Sequence, residues 1–441
     1  MKVNIGKLND TWNYTIENNN KKFFLKGVIE GETVDVQIDN TIKINKILTI
    51  SPNRERKICQ YQDSCGGCQG IHMKYEYQLK LKQEMIERLF KENHLLSNNV
   101  IKPIKYSNSL KYRNKSQIVF GYNNRKIVAG FYEELSHNIV SVDECILQDE
   151  AITKCQKVLK ELIEKFHYSI YDESKDKGLI KHILVKTTTL GEVMIVIVTK
   201  EEILPGSNNL VKAIVSQIKG VKTIIQNINP KKTTHVLGEK EKILYGKGYI
   251  IDDLLGYKFK ISSKSFYQIN RFVTPILYQE ILNQVKNKHF NSIIDAYSGT
   301  STIGIILSKE VNKVTCVELE QSSVNDALEN IKNNNIKNVR VFKDDATRFI
   351  LNMERRKEQV DLVVMDPPRK GSTKEFINSL NKLKPKQIIY VSCDPHTLVN
   401  DLKDLIKDYA ITSVQPVDMF PNTFHVETVC CLVKTDKSLR K

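Results

Sequence analysis

Ser292-Ile293-Ile294-Asp295, running into Ala296-Tyr297-Ser298-Gly299-Thr300, is the stretch that decides the fold of this 441-residue chain. A short apolar run, a loop of small residues, a helical run over Thr302–Ser308 and a second apolar run, Lys313–Glu318, follow one another without a break. That order is the first βαβ unit of a Rossmann-like sheet. The small-residue loop lets a ligand approach the backbone, and Glu318, at the end of the second strand, is placed to hold ribose hydroxyls. The loop lacks the third glycine of a dinucleotide fingerprint. Asp295 at the first strand's end suits the cationic methionine end of S-adenosylmethionine better than a pyrophosphate.

Working outward, the same alternation continues to residue 441. Val339–Ala346 reads as the third strand, with Asp345 placed to meet an adenine amino group. Asp361–Met365 is the fourth, ending in the rigid Asp366-Pro367-Pro368-Arg369. Ile388-Ile389-Tyr390-Val391 suits a strand covered on both faces. Cys393 stands at its mouth, where ligands of open α/β sheets collect, and Pro395 forces the chain to turn just beyond. A lone cysteine is more often a small core residue. Here the cofactor loop, Asp366 and Glu427 (at the boundary between a loop and the closing strand) supply a reaction for it. The order and spacing of these pieces predict a methyltransferase over 266–441.

The front half reads differently. Phe23–Val28, Val34–Ile38 and Ile42–Ile47 are short alternating strands, as in an OB-like barrel that carries single-stranded nucleic acid, and 1–52 is taken as that module. In 53–265, Cys59, Cys65 and Cys68 cluster around a glycine pair, with Cys145 as the best fourth ligand. Four thiolates suit an iron–sulfur cluster or zinc. Gln78–Asn93 is an amphipathic helix with Leu79, Leu81, Ile86, Leu89 and Phe90 as its apolar members. Helices over Ala151–His167 and Leu210–Ile218 alternate with strands over Ile180–Lys186, Val193–Val198 and Thr223–Asn227, giving a central α/β domain of two arms, 53–150 and 151–265. Tyr112-Arg113-Asn114-Lys115 interleaves basic and aromatic residues in the manner of an RNA contact.

The formal net charge of +16 fits a polyanionic partner. No apolar run approaches the roughly 18 residues of a membrane span, and Met1–Gly6 lacks the core of a signal peptide. A cytoplasmic location is therefore expected, and nine cysteines there are not expected to form a disulfide framework.

Taken together, the chain resembles the bacterial RNA 5-methyluridine methyltransferases that use S-adenosylmethionine. The likeness rests on Cys59-x5-Cys65-x2-Cys68 with Cys145, Phe266-Tyr267-Gln268-Ile269-Asn270, Asp295-Ala296-Tyr297-Ser298-Gly299, Asp366-Pro367-Pro368-Arg369-Lys370-Gly371, Val391-Ser392-Cys393-Asp394-Pro395 and His425-Val426-Glu427. It covers nearly the whole chain, the amino-terminal module being TRAM-like. The family often carries a second glycine where this chain has Ser301. The resemblance implies that Cys393 is the nucleophile and Glu427 the base. Gln268, Tyr297, Glu318 and Asp366 would contact the cofactor, with Asp345 near its adenine. Cys59, Cys65, Cys68 and Cys145 would hold a four-iron four-sulfur cluster in a structural or RNA-docking role. The cysteine cluster accompanies the ribosomal members of the family, so 23S rRNA is the expected partner of a monomeric enzyme, with the transfer RNA T-loop as the alternative. Two competing readings are an adenine amino methyltransferase, which would want an aromatic residue where Arg369 stands, and a non-catalytic iron–sulfur RNA-binding protein.

Overall fold

The computed structural model describes residues 1–435 except 19, 40, 96–99, 125, 135 and 234. At the amino end, strands β1 (Lys2–Asn4), β2 (Tyr14–Asn18), β3 (Lys21–Leu25), β4 (Thr33–Ile38) and β5 (Ile42–Thr49) form two antiparallel sheets, β1-β4-β5 and β2-β3. Alternation decides their faces: Val34 and Val36 point inward to Trp12, Leu25 and Val28, while Asp35 bonds the amino terminus and Asn45 at the surface. Strands β1 and β2 escape sequence reading because neither holds enough apolar residues to show a period. Met73 and Tyr77, from further along the chain, complete this core.

Helix α1 (Tyr75–Glu92) begins three residues earlier than its apolar spacing suggests. Beyond it, β6 (Lys115–Asn123), β7 (Lys126–Tyr132), β8 (Ile139–Ser141), α2 (Glu150–Lys165), β9 (Ile180–Thr187), β10 (Val193–Thr199), α3 (Ser207–Gln217), β11 (Val221–Ile228) and β12 (Lys240–Gly246) build one sheet, ordered β12-β11-β10-β9-β6-β7-β8. Asp149 caps α2 by accepting from the Ala151 amide at 2.8 Å. Helices α2 and α3 cover one face, through Ile152, Leu159, Ile163 and Ile214 against Ile118, Ile183 and Ile195. Edge strand β12 is Lys-rich and largely exposed, so it carries little hydrophobic signal.

The hairpin of β13 (Tyr249–Leu254) and β14 (Tyr257–Ser262) follows. Then come α4 (Thr274–Val285), β15 (Phe290–Ala296), α5 (Thr302–Leu307), β16 (Val311–Glu318), α6 (Gln321–Asn333), β17 (Val339–Lys343), α7 (Ala346–Arg355), β18 (Leu362–Met365), α8 (Lys374–Leu383), β19 (Gln387–Ser392), α9 (Pro395–Leu405), β20 (Tyr409–Val417) and β21 (Glu427–Lys434). Their sheet is ordered β17-β16-β15-β18-β19-β21-β20. The first five strands are parallel, whereas β21 runs antiparallel to both β19 and β20. Strand β17 stops at Lys343, short of the expected Ala346, because Asp345 turns to cap α7 by accepting from the Arg348 amide.

The cores cross the divisions read from sequence at 52/53 and 265/266. Met85, Ile86, Leu89 and Phe90 of α1 pack on the carboxy-terminal sheet beside Tyr390 and Leu398, away from the central sheet. Leu254, Tyr257 and Phe259 of the hairpin join the opposite face of that sheet, while Ile250 and Ile261 reach back to Met194 and Val196 of the central one. Residues 100–105 run beside β20, with Lys102 and Lys105 amides donating to Val414 and Pro416 at 2.9 Å each, and so cover the sheet's free edge. Phe90 is completely buried. Replacing it with Ala is expected to cost about 3–5 kcal/mol in urea unfolding followed by tyrosine fluorescence; a loss below about 1 kcal/mol would show that α1 is not part of the catalytic core.

Candidate active site

Direction of travel brings the chemistry together. Strands β18 and β19 are parallel neighbours, so Asp366 and Cys393, which directly follow them, emerge at the same edge. Strand β21 is reversed, so its first residue, Glu427, starts at that edge, with Thr428 opposite Ser392. Three neighbouring strand ends thus converge. Cys393 lies on the tight turn into α9, where Asp394 caps the helix by accepting from His396 at 2.9 Å and Ser392 Oγ donates to the Asp394 carbonyl.

The electrostatics follow from burial. Glu427 is 4% exposed, and its carboxyl is pushed up first by burial and then by the charge of Asp366. Asp366 is raised by burial as well. Burial pushes the Cys393 thiol up to about 12, Glu427 and Asp366 add to the rise, and Arg369 opposes it. The Arg369 guanidinium and the amino end of α9 are therefore the groups that favour its thiolate.

The cofactor loop lies at the same edge. Tyr297 (φ 60°) and Ser301 (φ 59°) both sit in the left-handed region, where glycine is favoured, so this loop stores strain at the place where the family often has glycine. Glu318 accepts from the Gly299 amide at 2.8 Å, tying the loop to the end of β16. Asp295 Oδ2 accepts from Gly304 at 2.8 Å, whereas Asp295 Oδ1 and Ser298 Oγ are buried with no hydrogen-bond partner among the described residues, as donors and acceptors awaiting a polar ligand would be. Burial raises Asp295 to about 7. Tyr297 bonds Ser372 at 2.8 Å, and Asp345 lies close enough to perturb it. Gln268 is buried and bonds Tyr278, whose hydroxyl is pushed up by burial and by Asp366, Asp295 and Glu427. Tyr297 follows β15 and Glu318 ends β16, at the same edge as Asp366 and Cys393, while Gln268 reaches that edge through Tyr278.

Cys59, Cys65, Cys68 and Cys145 line a cavity of about 300 Å³. Burial and then Cys145 and Cys65 raise the Cys68 thiol. Arg113 favours the thiolates of Cys65, Cys68 and Cys145, and Gln62 Oε1 and Gln148 Oε1 in the wall have no hydrogen-bond partner among the described residues. Among the described residues no three His, Cys, Asp or Glu side chains gather around a point that could hold a single metal ion. The cavity is distant in sequence from the chemistry yet shares Ile269 with the cofactor-side loop, and Arg113 pairs with Asn270. Another, more open cleft of about 1220 Å³ on the central domain is lined by Tyr122, Tyr132, Tyr171, Lys181 and His182.

Sequence reading missed Lys82 and Asp418, a buried ion pair at 2.6 Å. The signal was present: Lys82 interrupts the apolar stripe of Leu79, Ile86 and Leu89.

The family model for tRNA (uracil-5-)-methyltransferases matches residues 74–435. The chain belongs to that family. It is 40% identical to an RNA methyltransferase of Clostridium tetani over 96% of this chain and 92% of that one, and 38% identical to one of Caldanaerobacter subterraneus over 92% of each. Among solved structures, the tRNA (uracil-54, C5)-methyltransferase of Pyrococcus abyssi, in complex with S-adenosyl-L-homocysteine, superimposes with a TM-score of 0.77 at 26% identity, over 98% of this chain and all of that one. This chain is accordingly an S-adenosylmethionine-dependent RNA uracil-5-methyltransferase.

Raised carboxyl values carry a stability cost with a definite sign. The unfolded chain releases the Glu427 proton near 4.5 and the folded chain holds it to higher pH, so stability falls as pH rises between those values. Glu427→Gln is expected to raise the melting temperature at pH 8, by more than the equivalent of about 1.4 kcal/mol, and to leave it unchanged at pH 4. Equal melting at pH 8 would refute the buried carboxylate.

Proposed function

We propose that the enzyme methylates C5 of a uridine in 23S rRNA through a transient bond between Cys393 and C6 of the base. The observation that carries this is the meeting of Cys393, Asp366 and Glu427 at three adjacent strand ends beside the cofactor loop. C5 of uracil is a poor nucleophile. Addition of the Cys393 thiolate at C6 makes the ring an enolate, whose C5 then takes the methyl group from the sulfonium. Glu427 removes the C5 proton, and the ring expels the thiolate. A carboxyl held above its usual range matches a base working near neutrality. Gln268, Tyr297, Glu318, Asp345 and Asp366 would hold S-adenosylmethionine, and Asp366 would also meet the polar edge of the uracil. The base must leave its stack to reach this cleft, so a looped or opened RNA is the substrate.

The TRAM-like module of 1–52 and the central domain would hold the RNA. The net charge of +16 and the tyrosine-lined central cleft support that assignment. Four thiols lining one cavity suit a four-iron four-sulfur cluster, with zinc as the rival. Cys59, Cys65, Cys68 and Cys145 would hold the cluster, and it would fix the loop beside Ile269 without a redox step. Among the described residues no helix is long and apolar enough to cross a membrane, and we read the enzyme as a cytoplasmic monomer.

The T-loop uridine of transfer RNA is the second reading, favoured by the substrate named for the Pyrococcus abyssi enzyme. Mapping 5-methyluridine in RNA from a deletion strain separates the two: a site lost from 23S rRNA is expected, and loss from transfer RNA alone would select the second. Cys393→Ala is expected to reduce methyl transfer from labelled cofactor to background, and retained activity would overturn the covalent route. Anaerobically purified Cys145→Ser is expected to lose iron and brown colour relative to the parent. A colourless parent holding stoichiometric zinc would refute the cluster.

A further inference from the structure

Residues 418–422, in the loop between β20 and β21 that leads to Glu427, lie outside both strands, and side chains from distant parts of the chain hold them at every position. Lys82 Nζ donates to Asp418 Oδ1 at 2.6 Å and to the Phe420 carbonyl at 3.1 Å. Tyr75 donates to Asp418 Oδ2 at 2.8 Å. Asn270 donates to the Met419 carbonyl at 3.0 Å, and Tyr112 to the Pro421 carbonyl at 3.1 Å. Gln78 accepts from the Asn422 amide at 2.9 Å and donates to its side-chain oxygen, while the Gln69 and Gly70 amides donate to its carbonyl at 3.0 Å each.

Lys82 and Asp418 are both wholly buried. Taking two charges out of water is costly, and well-packed apolar residues would often stabilise the same space as well. What the pair supplies beyond packing is direction, because it bonds a carboxylate and a loop carbonyl together. Lys82 also lies 5.5 Å from the centre of the Trp12 ring in the amino-terminal module. Trp12 closes against Gly70, where a Cβ would come within 2.3 Å of the ring. The amino-terminal module, the end of the cysteine loop and α1 therefore meet at one buried point around the Lys82–Asp418 pair, seven residues before His425-Val426-Glu427.

We infer that Lys82 is a positioning residue: with Asp418 it fixes the loop that aims Glu427, so that removal of the C5 proton depends on the seating of the amino-terminal half against the catalytic sheet. The inference rests on the reading of Glu427 as the base. It has a specific kinetic signature, since thiolate addition and methyl transfer need only Cys393 and the cofactor, whereas release of the product needs the base. A misaimed Glu427 leaves the methylated uracil attached to Cys393.

The test uses full-length holoenzyme, undermethylated total RNA from a deletion strain, and methyl-tritiated S-adenosylmethionine. Denaturing gels then separate labelled free RNA from labelled RNA bound to protein. Lys82→Met combined with Asp418→Leu removes both charges together, and Gln78→Ala loosens Asn422 without touching them. Both are expected to bind cofactor as the parent does, to accumulate labelled adduct, and to release methylated RNA at least tenfold more slowly; Glu427→Gln run beside them sets the full effect. If the double variant does not fold, Gln78→Ala decides alone. Folded variants that release product at the parental rate while Glu427→Gln accumulates adduct would overturn the positioning role. Failure of Glu427→Gln to accumulate adduct would instead overturn the reading of the base.

Discussion

The reversal of a single strand is the constraint on which this site depends. In an all-parallel sheet, every strand would present its carboxyl end at the ligand edge, and the residue opening the last strand would lie at the far side. Because β21 runs against β19, its first residue stands beside the last residues of β18 and β19. A thiol and two carboxyl groups thus arrive together at neighbouring strand ends. The arrangement also explains why Glu427 is buried and Asp366 half-buried, since both stand at the ends of strands covered on each face. Their raised proton affinity is a by-product of position that suits the chemistry.

The parts of the site on strand ends were legible in the sequence because strand ends announce themselves. Asp366 follows an apolar run and precedes two prolines, Cys393 follows another and precedes Asp394-Pro395, and Glu427 opens the last apolar run. The four cysteines were legible through spacing and chemistry, and they line one cavity. Gln268 and Tyr297 were legible only through the resemblance, since neither a glutamine nor a tyrosine in a loop signals a ligand by itself.

What could not be read was which segment packs on which sheet. Helix α1 looks like any amphipathic helix, and nothing local says that its apolar face belongs to strands three hundred residues away. The hairpin over 249–262 carries polar residues on its exposed positions and serves two cores at once, so its pattern favours neither. Lys82 was passed over because helix reading counts apolar residues, and a lysine in the stripe registers as a gap. A charge at a core position is informative for that reason: it requires a partner, and here the partner lies 336 residues further along the chain.

That last point bears on how the protein is made. Lys82 and Asp418 are separated by 336 residues, so at the usual pace of synthesis, 5–20 residues per second, the lysine waits roughly 20–70 s for its carboxylate. During that interval the apolar face of α1 has neither its sheet nor its counter-charge, and the edge that residues 100–105 will cover does not yet exist. The ribosome therefore releases the first half of this enzyme as an unfinished surface, and completion comes only when the final two strands emerge.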